Sequence, residues 1–464
     1  MFRSLSTRRR GVAVAVATIG AASLSLAFAG PAGAVPSSTQ IIGSGSQTSY
    51  STMTSLTDLF NNVAGCDLTA STSVPSTLNC GTSSITAKTP GGEQGFDVAA
   101  DNPYNDYSVQ APAIGSGNGA TALAAAATGS PTQPIAYARA SSHKGGTQQN
   151  DVEYATDGVS WTTFNAIGGV KTAQAKIVNI PKLDLIAIWN GTQGCSITKG
   201  KITTNYTMDW ICEGAKASSP IDVYVAQTGS GTYSTWQGAL GFSKTHPGGV
   251  ENSNMEAGWV ANGGDPLKLI SAHENLFENQ MSSIATEPDA KNAIYFMSFG
   301  KYQTTCPGKN GKNAVCAGSG VKTYTTFGQI DGVVANQANI QGTGGGANVT
   351  FPITRGLYNL YNNSTATVPS NQATLNFVGE NGFLCKASTA TEVDTQTGVL
   401  YRTEIENAIT ANGFYPLDVS GSPFAEGTVP APGTITDAGY AVSDNAPTNT
   451  GTTHSGFCLV APGA

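Results

Sequence analysis

Charge is what this sequence has least of. Lys plus Arg number 23 and Asp plus Glu 30 in 464 residues, 11% together, with a formal net charge of −7. An acidic balance this thin supplies no basic stripe for phosphate neutralisation, which argues against a nucleic-acid partner. Histidine is equally sparse: His143, His246, His273 and His454 are scattered, HExxH is absent, and so is the CxxC spacing of zinc ribbons. No metal and no other cofactor is therefore expected. The nucleotide signature GxxxxGK[ST] is missing too, because Gly168-Gly169-Val170-Lys171-Thr172 has valine where glycine must precede the lysine. Lys171 reads as a solvated lysine. No serine sits in a GxSxG elbow, Ser116 being one place early for it, so serine-hydrolase chemistry has no anchor and the chain is not expected to be an enzyme.

Long apolar runs are missing after the N-terminus. There, Arg3 and Arg8 to Arg10 precede an apolar stretch to about Phe28, and Ala32-Gly33-Ala34 offers a small-residue cleavage site. This is the pattern of an export signal over residues 1–34, with a secreted, extracellular mature chain and no cysteine there to carry a lipid anchor. Eight cysteines follow, an even number in an oxidising compartment, and short loops favour Cys66–Cys80, Cys195–Cys212, Cys306–Cys316 and Cys385–Cys458. Five Trp, 16 Tyr and 16 Phe supply the apolar area that a disordered chain lacks.

One local pattern occurs three times: an extended run, a Gly-Ser loop, and at once a helical spacing. The runs are Thr39 to Ile42, Tyr107 to Gln110 and Ile221 to Val225. The loops are Gly43-Ser44-Gly45-Ser46-Gln47-Thr48, Gly115-Ser116-Gly117-Asn118-Gly119 and Gly229-Ser230-Gly231-Thr232. Behind them come Tyr50, Met53, Leu56 and Phe60, then Ala120 to Ala127, then Tyr233, Trp236 and Leu240. A further strand, Pro134 to Ala138, ends in Arg139-Ala140-Ser141-Ser142. Such units predict an α/β fold with parallel strands. Each loop would open a helix N-terminus, where unpaired N–H groups and a partial positive charge hold an anion. Glu274 and Glu278 share a helical spacing and read as a solvated face, and Asp101 and Asp106 read as turn residues.

These loops, in this order, resemble the substrate-binding proteins of phosphate ABC importers, a branch of the type II periplasmic-binding-protein fold. The second loop resembles the GSGNG loop of the DING branch. The resemblance spans Ile41 to Ser298, with echoes at Phe351-Pro352-Ile353-Thr354-Arg355. It implies two α/β lobes joined by two hinge-crossing strands, with residues 35–157 and 292–464 in one lobe and 158–291, where all five Trp lie, in the other. It also implies phosphate or a related small oxyanion bound between the lobes by Ser46, Gln47, Thr48, Ser116, Gly117, Asn118, Arg139, Ser141, Ser142, Ser230, Gly231 and Thr232. An ABC permease and a monomeric binding protein go with that reading. The chain departs from the family where Ser142 replaces an Asp and Ala226 an Arg, and Arg139 offers charge from the facing strand. The alternatives are an extracellular hydrolase of phosphate esters or glycans, and a ligand-free surface protein that keeps the fold.

Overall fold

A computed structural model describes residues 40–60, 107–130, 135–189 except 145, 209–242 except 227 and 228, 278–308 except 280 and 288, 314–341, 350–417 except 395 and 396, and 453–462. The export signal, Asp101, Asp106, His246, His273, Glu274, Trp259, Cys66, Cys80 and Cys195 lie outside them. All three strand–loop–helix units form. Strand β1 (Gln40–Gly45) runs into α1 (Tyr50–Leu59), β2 (Tyr107–Ala113) into α2 (Ser116–Ala127), and β3 (Tyr137–Ala140) follows. The third unit is β7 (Asp222–Val223) with α4 (Gly231–Leu240). In α1 the buried positions Met53, Leu56 and Phe60 repeat at helical spacing, so one stripe meets the sheet. Helix α2 is packed so closely that a Cβ on Gly119 would stand 2.6 Å from the Cα of Gly45.

Between β3 and β7 come the long strand β4 (Gln149–Ile167), β5 (Val170–Lys171), β6 (Asn179–Ile180) and α3 (Lys182–Trp189). After α4 follow α5 (Met281–Ile284), β8 (Ala293–Ser298), α6 (Phe299–Thr305), β9 (Tyr324–Phe327), β10 (Gln329–Ile330) and α7 (Gln337–Ile340). The chain closes with β11 (Thr354–Asn362), α8 (Gln372–Val378), α9 (Tyr401–Ala411), β12 (Tyr415–Pro416), β13 (Thr453–Ser455) and β14 (Cys458–Pro462).

Strand β4 ties two sheets together. Its first half, to Gly158, pairs antiparallel with β11, β14 and β12. In this sheet the order β13-β14-β4-β11-β3-β1-β2 ends in the parallel set β3, β1 and β2. Its second half pairs antiparallel with β8, β9 and β5, and β8 takes β7 in parallel. The expected parallel pairing therefore holds for β1–β3 and for β7 with β8, inside sheets that are mixed because β4 and β11 run against it. The change of partners in β4 comes at Gly158; the chain rejoins the first sheet in β11, from Thr354 onward. At Gly158 a Cβ would meet Ile340 Cδ1 at 2.9 Å, so the crossover packs tightly against α7.

Each sheet has its own core. Around the second, Trp161, Trp189, Trp210 and Trp236 join one apolar cluster, with Trp236 stacked on Phe296 at 5.7 Å between ring centroids. Around the first, Phe60, Phe377 and Phe383 pack with Tyr137 and Tyr401. Cys306–Cys316 and Cys385–Cys458 are bonded as expected, and Cys212 is in a disulfide.

Candidate functional site

The three loops meet. Gly117 N–H donates to Gly229 O at 3.0 Å, which joins the second loop to the third. Gly231 lies against Ser116 and Ser141, where a Cβ would come within 2.4 Å of the Ser116 Oγ and 2.3 Å of the Ser141 Oγ. Only glycine fits there without displacing both hydroxyls. Across from it, Ser46 Oγ and Ser141 Oγ are 3.1 Å apart, and so are Thr48 Oγ1 and Thr232 Oγ1. The result is a buried cluster of hydroxyls and N–H groups from the end of β1 and the start of α4.

A carboxylate sits in its centre. Glu278 Oε1 accepts from Gly231 N–H at 2.5 Å and from Thr232 N–H at 3.4 Å. Its Oε2 accepts from Thr48 N–H at 3.1 Å, Thr48 Oγ1 at 2.5 Å and Ser46 Oγ at 3.2 Å. The residue is 1% exposed, so the expectation of a solvated Glu278 is corrected. Burying a carboxylate is costly unless it is fully hydrogen-bonded, and three N–H and two O–H donors meet that condition here.

The first turn of α4 explains why the donors point where they do. Ser230 caps the helix by accepting from Tyr233 N–H at 2.9 Å, which satisfies the third of the orphan N–H groups. Those of Gly231 and Thr232 remain and go to Glu278. By contrast, α1 and α2 start at Ser49 and Gly115 with no side-chain cap bond. Gly115 adopts a φ of +95°, open to glycine and strained for other residues.

The other expected ligands have specific partners. Ser116 Oγ accepts from Ser141 N–H at 3.1 Å, and Asn118, exposed, turns its amide back to Ile114 O at 2.7 Å. Gln47 Oε1 and the Ser142 hydroxyl are buried polar atoms with no hydrogen-bond partner among the described residues. Arg139 is fully buried behind β1, where its guanidinium donates to Gly43 O at 2.8 Å, Gln110 Oε1 at 2.5 Å, Ala111 O at 3.1 Å and Ser46 O at 3.4 Å. It braces the backbone that carries the first loop. Burial pulls its pKa down to about 10.

A second guanidinium stands at the cradle, and the loop motifs gave no sign of it. Arg355, on β11, is directly opposite Asp157 on β4 and holds Asp157 Oδ2 with Nε at 3.0 Å and Nη2 at 2.8 Å. Its Nη1 donates to Ser141 O at 3.0 Å and to Thr232 Oγ1 at 2.9 Å. That contact sets the direction of the hydroxyl chain. Thr48 gives its single hydroxyl hydrogen to the acceptor-only carboxylate, so Thr232, which accepts from Arg355, donates to Thr48. Asn279 Nδ2 also donates to Thr48 Oγ1, at 3.0 Å. The sequence signal for Arg355 was the echo at Phe351 to Arg355, whose strand register only the fold reveals.

No family model matches the chain, and no curated protein matches it. Solved structures do resemble it. A protein assigned as a phosphate ABC transporter substrate-binding protein, with bound phosphate, from Clostridium perfringens is 14% identical. It aligns over 82% of this chain and 100% of its own, with a TM-score of 0.41. An ABC-type phosphate transport receptor from Vibrio cholerae is 14% identical over 70% of this chain and 88% of its own, TM-score 0.37. A DING protein is 14% identical over 88% of this chain and 97% of its own, TM-score 0.39.

Proposed function

We propose that this protein is a secreted, non-catalytic binding protein that captures phosphate or a related small oxyanion in the cradle between the Ser46–Thr48 loop and the start of α4. The observation that carries this reading is the convergence of five donors on one buried carboxylate. Backbone N–H groups at a helix start suit an oxyanion of any shape, and the hydroxyls of Ser46, Thr48, Ser116, Ser141 and Thr232 add donors without bulk. Arg355 brings positive charge one hydroxyl away, already balanced by Asp157. The function proposed is delivery of the anion to an ABC permease by a monomer whose two sheets close on the ligand, a hinge motion of the kind an importer can read.

Calorimetric titration of the mature, phosphate-stripped protein with phosphate and with sulfate tests the reading. Saturable heat with either anion, lost in Gly231→Ala, is expected, because the added Cβ displaces the Ser116 and Ser141 hydroxyls. No heat with either anion, in the wild type and in a Glu278→Ala variant alike, would refute it.

A further inference from the structure

We propose that Glu278 is a resident competing ligand of this cradle and thereby decides which anions enter it. The inference rests on reading the cradle as an oxyanion site and adds what controls it. The carboxylate is bound as an external anion would be, with one oxygen at the α4 N-terminus and the other on the first loop, segments more than 180 residues apart in sequence. The N–H groups of Thr48, Gly231 and Thr232 are already given to it, that of Thr48 being shared with Ser46 Oγ. An incoming anion beside Glu278 would meet like charge, with these three N–H groups already engaged. It binds by displacing the carboxylate.

That exchange discriminates. The tether gives Glu278 an effective concentration that a free monocarboxylate, with the same two oxygens and the same charge, has to beat from dilute solution. A free acetate therefore gains nothing over the resident group. A tetrahedral oxyanion brings four oxygens and up to twice the charge, and it can draw on the Ser141 and Ser116 hydroxyls, which now bond to each other at 3.2 Å. Such an ion can offset the release of Glu278. The side chain thus lowers affinity for every external anion and excludes monocarboxylates altogether.

The test compares wild type, Glu278→Ala and Glu278→Gln by calorimetry with inorganic phosphate and with acetate, with near-UV circular dichroism to confirm folding. Glu278→Gln keeps the side-chain volume should Glu278→Ala fail to fold. Expected are phosphate binding at least tenfold tighter in the variants than in wild type, and acetate binding in Glu278→Ala that wild type lacks. Wild type binding phosphate as tightly as both folded variants would overturn the proposal and leave the oxyanion reading intact. Acetate binding without phosphate binding in Glu278→Ala would uphold the resident ligand and overturn the phosphate reading. Folded proteins that bind neither ion would overturn both.

Discussion

Lys301 carries its ammonium group in a setting that works against its charge. It is partly buried in α6, donates to Ser51 Oγ, and lies 5.9 Å from the ring centre of Phe414. Burial lowers its pKa to about 8, while the charges of Asp157 and Glu278 pull the other way. Since the folded value lies below the ordinary 10.5, the unfolded chain binds more protons than the native one between those two pH values. Stability conferred at this position therefore rises with pH across the window and is flat below it. Urea midpoints of wild type and Lys301→Met, measured from pH 7 to 10, are expected to shift in favour of wild type only above pH 8. A constant difference would assign the lysine no part in the titration. Residue chemistry of this kind is half legible from sequence. A Gly-Ser loop announces a helix start, yet the burial of Lys301 or Glu278 depends on what packs over them, and Glu278 reads as a surface residue until five donors are found around it.

Strands β4 and β11 show what pairing adds to composition. Arg355 and Asp157 are cross-strand neighbours, both buried, and the pair is braced further by Gly300 N–H at 3.1 Å to Asp157 Oδ1. Replacing Arg355 by Leu strands the carboxylate without a countercharge, a change that costs about 3–5 kcal/mol. Chemical denaturation is expected to show that loss, and the double change of Arg355 and Asp157 to Leu is expected to cost less than the sum of the single changes. The same substitution frees the Thr232 hydroxyl from its orienting donor, so anion affinity falls with it. The helices and strands of the three loop units are legible because each keeps a local period: Met53, Leu56 and Phe60 in α1, and a short apolar run in β1. The reversal of β11 and the 19-residue course of β4 are not, since a strand's partner is chosen by residues two hundred positions away.

Across the whole molecule, the bond between Cys385 and Cys458 closes a segment of 73 residues and fastens β14, which pairs with β4, to the turn after α8. A loop of that length gives a cross-link worth about 4 kcal/mol through restriction of the unfolded chain. The double change of Cys385 and Cys458 to Ala is expected to lower the urea midpoint accordingly while leaving the cradle, which is built from β1, β3, α4 and Glu278, able to bind anion. Loss of binding in a folded double variant would tie the cradle to this distant staple.

The α/β class and the three helix starts are determined by the sequence itself, because each follows from neighbours within a few residues, and nearest-neighbour pairing of the cysteines agrees with Cys306–Cys316 and Cys385–Cys458. Tertiary structure alone decided that the loops converge, that Arg139 supports β1 while Arg355 stands at the cradle, and that Glu278 lies in its centre. Those outcomes depend on which distant donors a buried charge meets, and local periodicity carries no record of them.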